Sequence, residues 1–447
     1  MDRRSFLKST AITAAATVPF AALASRLDAG ETRPTTHDYG PLVETIDVTT
    51  GLPLLALPEG FRYLSFGWTN DPMTNGKLTP GAHDGMAAYD AGNGIVHLVR
   101  NNERGAGTPF SSVAYNPAAA GGTTTLAFNS ATGQYLWTVD SLSGTIRNCA
   151  GGPTPWGSWL TCEETTEFRS GVPHGYVFDV PSDGSHGSPV PLRDMGRFSH
   201  EAVAIDPETG DVYLTEDAGN SSGFYKFVPD VAGELYRGGR LYMLRVTGSP
   251  AAGANLFTGY ANKTRFDVEW VEIESPDSAA ANMPGNFVFA QGRAQGGAAF
   301  GRLEGAWYGK HGLSKIYFVS TNGGAAGQGQ IWEYTPQQER LELVFESPDS
   351  VTLNAPDNLT VSPRGGLVLC EDGSGAEFVH GLTVEGRIFP FVRNNMIMNG
   401  EKGFTGNFTG SEFAGACYSP DGNWLFVNVQ SPGVTYAITG PWHKGAL

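Results

Sequence analysis

The sequence predicts an all-β protein: a six-bladed β-propeller with irregular insertions capping one mouth of its channel. Three observations carry this. The 447 residues include 60 Gly and 28 Pro, and short alternating apolar runs between turn residues stand in place of long helical patterns. One hairpin pattern recurs six times. Each copy begins and ends on polar residues, mostly acids, about 14 to 19 residues apart, which a hairpin of fixed length requires. Sheet units repeated at such spacing stack radially, each hairpin forming the two inner strands of a blade.

The third copy, Gly196 to Asp217, is the most legible. Ala202 to Asp206 is an apolar run with β-branched residues. Pro207-Glu208-Thr209-Gly210 is turn chemistry, because Pro fixes φ and Gly tolerates φ > 0. Asp211 to Thr215 returns with polar–apolar alternation. Two strands of about five residues travel roughly 17 Å out and back, so His200-Glu201 ends up beside Glu216-Asp217. The first copy opens at His83-Asp84 and closes at Asn101-Asn102-Glu103. The second runs from Asn148-Cys149 to Cys162-Glu163-Glu164. The fourth runs from Leu303-Glu304 to Ser320-Thr321-Asn322, and the fifth from Asp357-Asn358 to Cys370-Glu371-Asp372. The sixth runs from Glu412-Phe413 to Asn428-Val429-Gln430. In a propeller all these ends share one mouth of the channel.

Between the hairpins, 123–129 and 134–140 read as outer strands of the first blade, and 223–228 and 241–246 as those of the third. The stretch from Trp270 to Pro284 reads as an irregular excursion, followed by a Gly/Ala-rich run into Arg302. Residues 25–58 are Thr/Pro-rich and read as an N-terminal arm, with the propeller over 59–447. The C-terminal strand around Val434 to Ile438 is expected to pair with N-terminal residues and so remove the free sheet edges.

The formal charge is −16, from 45 acidic and 29 basic residues. This argues against nucleic acid or an anionic membrane as a partner. Residues 1–24 combine Arg3-Arg4, Phe6 and Lys8 with an Ala-rich apolar run, matching a twin-arginine export signal. The expected location is therefore the periplasm or beyond, reached already folded through the twin-arginine machinery, with no membrane span in the mature chain. A monomer is expected. None of the four cysteines forms a C-x-x-C pair. Cys162 and Cys370 fall at the ends of second strands and read as packing residues, whereas Cys149 takes a position held in other copies by an acid.

The predicted funnel gathers Asp84, Glu103, Cys149, Glu163, Glu164, Glu201, Glu216, Asp217, Glu304, Asp357, Glu371, Asp372 and Glu412. Two carboxylates 4 Å apart repel by about 4 kcal/mol at an effective dielectric of 20. Bound multivalent cations are the economical remedy, with calcium, magnesium, manganese and ferric iron all compatible with oxygen donors. A thiolate from Cys149 would favour a transition metal beside it. Single acids at strand ends also serve as loop caps or ion-pair partners, most readily Glu103, Glu163 and Glu371. Arg302 precedes Glu304 by two residues, and its guanidinium suits bidentate binding of phosphate; a salt bridge to a carboxylate is the alternative. Arg147 and Arg197 are weaker candidates. His200 could ligate a metal or orient Glu201. There is no Ser-His-Asp spacing, Walker loop or dinucleotide fingerprint.

With these residues in place, the sequence resembles the PhoX-type alkaline phosphatase family. The motifs are RNNE at 100–103, NCAGGPTPWGSWLTCEE at 148–164, GRFSHEAVAID at 196–206, FGRLEGAW at 300–307, PDNLTVSPRGGLVLCEDG at 356–373 and EFAGACYSPDGNWLFVNVQ at 412–430. The resemblance implies an exported phosphomonoesterase with a cluster of ferric iron (Fe3+) and calcium (Ca2+). It places iron on Cys149, Glu201, Glu304, Asp357 and Glu412, calcium on Glu164, Asp217 and Asp372, and the substrate phosphate on Arg302. Cys162 is the alternative thiolate; the repeat phase favours Cys149. The chain is shorter than well-known members, which leaves monoester against diester open. Two other classes fit the same pattern: a calcium-dependent lactonase-like propeller, and a non-catalytic calcium-stabilised binding propeller.

Overall fold

The computed structural model describes residues 38–281 and 284–447. The export signal at 1–24 and the part of the arm at 25–37 lie outside the described residues. What is described is almost entirely antiparallel sheet, with one α-helix, α1 (Phe287–Ala294). No described helix is long and apolar enough to cross a membrane.

Six hairpins organise the chain. They are β1 (His83–Asp90) with β2 (Ile95–Asn102), β3 (Asn148–Pro153) with β4 (Ser158–Glu163), β5 (His200–Ile205) with β6 (Val212–Glu216), β7 (Leu303–His311) with β8 (Leu313–Ser320), β9 (Pro356–Val361) with β10 (Leu367–Glu371), and β11 (Phe413–Tyr418) with β12 (Leu425–Val429). The first strand of each packs on the first strand of the next: β1 on β3, β3 on β5, β5 on β7, β7 on β9, β9 on β11, and β11 back on β1. The six first strands thus close a ring.

Each hairpin carries a β-bulge near the start of its first strand, after His83, Asn148, His200, Leu303, Pro356 and Ala414. A bulge leaves extra residues unpaired and re-aims their side chains. Small residues at these points let neighbouring backbones approach. A Cβ on Gly85 would lie 2.6 Å from Ala150 Cα, and one on Gly305 would lie 2.8 Å from Asn358 Cα.

Outer strands extend the hairpins. Gly121–Asn129 and Gln134–Thr145 follow β2, and Phe224–Pro229 and Gly239–Val246 follow β6. The excursion expected over Trp270 to Pro284 begins inside a regular strand. Arg265–Ile273 is a strand that pairs with Gly239–Val246 and also with Arg340–Glu346, fusing the third and fourth hairpins into one nine-stranded sheet. Residues from the expected arm also enter a sheet: Leu42–Thr45 pairs with Leu55–Pro58, which pairs with Ile388–Asn394. Arg62–Phe66 pairs with Val434–Thr439, so N-terminal residues complete the last sheet, as expected from the sequence.

The core fills the spaces between sheets. Trp307 on β7 packs against three separate apolar clusters. It borders an apolar cavity of about 310 Å³ lined by the turn ends of β1, β7, β9 and β11. The acids lie at the opposite ends of these strands, so the two mouths of the ring differ sharply in chemistry.

Candidate metal centre

One backbone bond recurs at the acidic end of all six hairpins. The carbonyl just before the first strand accepts the N–H of the residue just after the second. The pairs are Ala82 with Glu103 (2.8 Å), Arg147 with Glu164 (2.9 Å), Ser199 with Asp217 (3.1 Å), Arg302 with Thr321 (2.9 Å), Ala355 with Asp372 (3.0 Å) and Glu412 with Gln430 (3.2 Å). Side chains then stitch several hairpins to their neighbours. Asn101 Nδ2 donates to the carbonyls of Cys149 (3.1 Å) and Ala150 (2.7 Å). Thr215 Oγ1 donates to Glu304 O at 2.6 Å, and Asn428 Nδ2 to Asp84 O at 2.6 Å. These bonds fix the bulges from which the acids project.

Three donor groups result: Cys149 with Glu164 and Glu201; Glu201 with Glu304 and Asp357; and Asp84 with Glu103 and Glu412. Within each, one ligand atom per residue lies within 4.8 Å of the others. Glu201 belongs to two groups and joins them. The Cys149 thiol lies 2.7 Å from Glu201 Oε2.

Burial and mutual repulsion disfavour charge on these groups. Burial first, then Glu103 and Asp357, pushes Asp84 well up. Burial first, then Asp357, does the same to Glu201 and Glu304, and burial first, then Asp84, to Glu412. Burial followed by Asp372 raises Asp357 to about 7. Burial raises Glu164 to about 8 against the opposing pull of Arg147. Burial, then Glu201, raises the Cys149 thiol. Deprotonated together, such groups need cations among them. A set rich in carboxylate oxygen with a single sulfur fits hard multivalent ions and one softer transition metal. The residues present therefore fit a multinuclear metal centre.

Two guanidiniums border the groups. Arg302 Nη2 lies 3.0 Å from Asp217 Oδ2 and 2.6 Å from Glu304 Oε1. Both the salt bridge expected as the alternative and a partly open guanidinium are therefore present. Arg147 Nε donates to Glu103 Oε1 at 3.1 Å, and its Nη2 pairs with Glu164. Arg197 lies elsewhere: it is buried, bonds the carbonyls of His174 and Thr166, and stacks over Phe168.

The remaining candidates separate clearly. Asp217 meets Arg302 and Glu164, and Asp372 lies within hydrogen-bonding reach of Glu412. Glu163, Glu216 and Glu371 bond away from the groups. Glu163 accepts from the N–H groups of Ile146, Gly175 and Tyr176 and contacts His174. Glu216 accepts from Tyr225 and Gly223 N–H, and Glu371 from Asn354 and Phe378 N–H. His200 Nε2 faces Gly196 O at 3.0 Å, and burial holds its pKa near 3; it neither joins a donor group nor touches Glu201 through its ring. Cys162 and Cys370 pack in apolar clusters, and all four cysteines are free. Glu412 sits out of phase with the other opening acids. The second residue of β11, the place of Asp84, Cys149, Glu201, Glu304 and Asp357 in their strands, is Ala414, and Glu412 holds the position before the strand that Arg147 and Arg302 hold elsewhere. The group of Asp84 and Glu103 with Glu412 was not singled out from the sequence beyond the funnel as a whole. Its signal was Asp84 at the same phase as Cys149, Glu201, Glu304 and Asp357.

The family described as alkaline phosphatase PhoX matches residues 130–433. Among solved structures, Pseudomonas fluorescens PhoX in complex with vanadate, a transition state analogue, is similar at 17% identity and a TM-score of 0.67, over 92% of this chain and 99% of that one. A gluconolactonase from Xanthomonas campestris aligns at 13% identity and a TM-score of 0.42, over 90% of this chain and 98% of that one. The first likeness is one of fold; the second is too distant to establish even that. No curated protein matches the chain.

Proposed function

The chain belongs to the alkaline phosphatase PhoX family, and on that premise we propose that it is an exported, metal-dependent phosphomonoesterase built as a six-bladed propeller. The ring of six first strands supports the blade count. The observation that carries the metal reading is Glu201, shared between two donor groups and touched by the Cys149 thiol. Iron would be held by Cys149, Glu201, Glu304, Asp357 and Glu412. Calcium would be held by Glu164, Asp217 and Asp372, with Asp84 and Glu103 as further donors. When bound, these ions supply Lewis acidity toward phosphoryl oxygens.

The chain's own residues do the rest. Arg302, held by Asp217 and Glu304, presents planar N–H donors where charge builds on the phosphoryl oxygens. Asn101, Thr215 and Asn428 keep the bulges in place, so the donors need little rearrangement. The start of the chain supports export in folded form through the twin-arginine machinery, with metal loaded beforehand.

The test is elemental analysis and p-nitrophenyl phosphate hydrolysis on protein purified from its exporting host, before and after chelation. Iron and calcium should be present, and turnover should fall with their removal and return on re-addition. Turnover that survives complete removal of metal would refute the reading. Arg302→Ala should lower kcat/KM by roughly 10²-fold or more, as loss of a preorganised donor to developing charge does.

A further inference from the structure

Arg147 and Arg302 occupy the same position in the repeat, directly before the first strand of their hairpins. Both take positive φ, 51° and 38°. Both donate their N–H into the preceding hairpin's loop, Arg147 to Arg104 O at 2.9 Å and Arg302 to Gly219 O at 2.7 Å. Both guanidiniums span the closing acid of the preceding hairpin and an acid of their own. Partner and depth separate them: Arg302 pairs with the opening acid of its hairpin and Arg147 with the closing acid of its own. Arg302 reaches Glu304, whose side chain is 2% exposed, as well as Asp217 at 10%, whereas Arg147 holds Glu103 at 17% and Glu164 at 11% and has no partner as deep as Glu304. The Arg147 side chain is itself 49% exposed, against 36% for Arg302. Glu164 in turn lies in hydrogen-bond reach of Asp217, so one carboxylate pair separates the two arginines along the funnel wall.

We propose that Arg147 determines substrate choice, its guanidinium receiving a second anionic group on the alcohol side of the phosphoester. This rests on the phosphoester hydrolase reading above. The deeper Arg302 serves the phosphoryl group. The shallower Arg147 faces what projects outward from it, which in a phosphomonoester is the leaving alcohol. A planar fork of donors suits a carboxylate or a second phosphate. Both carboxylates that hold Arg147 belong to donor groups that cations would claim, which frees its charge for a ligand. The substrate class is therefore phosphomonoesters bearing a second negative charge within a few bonds of the ester.

Two non-hydrolysable probes test this without turnover: methylphosphonate, with one anionic end, and 3-phosphonopropionate, which adds a carboxylate. Titration calorimetry on the metal-loaded protein should show tighter binding of the second. Arg147→Gln should weaken 3-phosphonopropionate about tenfold more than methylphosphonate, and Arg147→Lys should restore part of the loss. Arg302→Gln should weaken both. The hydrolytic counterpart is a KM rise confined to esters with an anionic alcohol, such as 3-phosphoglycerate against glycerol 3-phosphate. Equal losses of both probes in Arg147→Gln, or no wild-type preference for the carboxylated probe, would overturn the proposal. So would loss of metal in both Arg147 variants by elemental analysis, since Arg147 would then serve only to hold Glu103 and Glu164. Wild-type protein that binds neither phosphonate would remove the hydrolase reading itself, and this proposal with it.

Discussion

Glu163 and Glu164 are neighbours of identical chemistry that do opposite things. Alternation along a strand sends successive side chains to opposite faces. Glu163 therefore turns outward and collects three backbone N–H groups and His174 Nδ1 at 2.5 Å. Glu164 turns inward to Cys149, Glu201 and Arg147. The same division separates Glu216 from Asp217 and Glu371 from Asp372. Substitution should separate the two tasks. Glu163→Gln leaves buried donors without an acceptor and should cost about 2–4 kcal/mol of stability, with metal content kept. Glu164→Gln should lose bound metal while the metal-free protein stays as stable as wild type, because a buried carboxyl that resists ionisation has become neutral. Thermal melts paired with elemental analysis read both. If the two variants behaved alike, the division would be wrong. At this scale the sequence was informative about which residues gather and silent about which of two adjacent acids faces inward. That depends on the exact strand end, which the residues alone do not set.

The bulged hairpin is the unit that converts sequence repetition into a site. Its turns were readable from Pro and Gly chemistry, and its length from the spacing of polar ends. The bulge was not, because it follows the first or second residue of each strand, too near the start for a reversal of phase to show in a period-two pattern. In the sixth copy the acid, Glu412, stands two residues before Ala414, which holds the place of Asp84 and Cys149. Arg265–Ile273 escaped notice for a different reason. It joins the sheets of the third and fourth hairpins, and its Arg265, Asp267 and Glu269 alternate with Phe266, Val268 and Trp270 as in a half-buried strand; an excursion placed from Trp270 onward cuts across that pattern. The close approach of bulges gives the element its prediction. A Cβ at Gly85 would meet Ala150 Cα at 2.6 Å and Cys149 O at 2.8 Å, both backbone atoms that cannot swing aside. Gly85→Ala should therefore cost about 1–3 kcal/mol and weaken metal retention by spreading Asp84 from Cys149. Melting temperature and metal stoichiometry equal to wild type would show that this contact does not set the spacing.

Across the whole molecule, the ring concentrates anionic groups on a chain already at −16, and this fixes how its stability should depend on pH. Every shifted carboxyl in the donor groups moves upward, so the folded chain binds these protons more tightly than the unfolded chain does. The stability this confers is fully present below the unfolded carboxylate range, near pH 4. It is lost as pH rises through the folded values, about 7 for Asp357 and about 8 for Glu164. Metal-free protein should therefore lose stability on the order of several kcal/mol for the set between about pH 5 and pH 8, and melt at progressively lower temperature over that range. Multivalent cations reverse the sign, because they bind the deprotonated donors and stabilise the folded state by mass action. Loaded protein should hold its melting temperature into the alkaline range, and the gap between loaded and chelated melts should widen with pH. A chelated protein whose melting temperature is flat over that range would mean that the acids are neutralised within the chain. Arg147 and Arg302 would then suffice as their counter-ions, and the case for a multinuclear centre would fail with the electrostatics that support it.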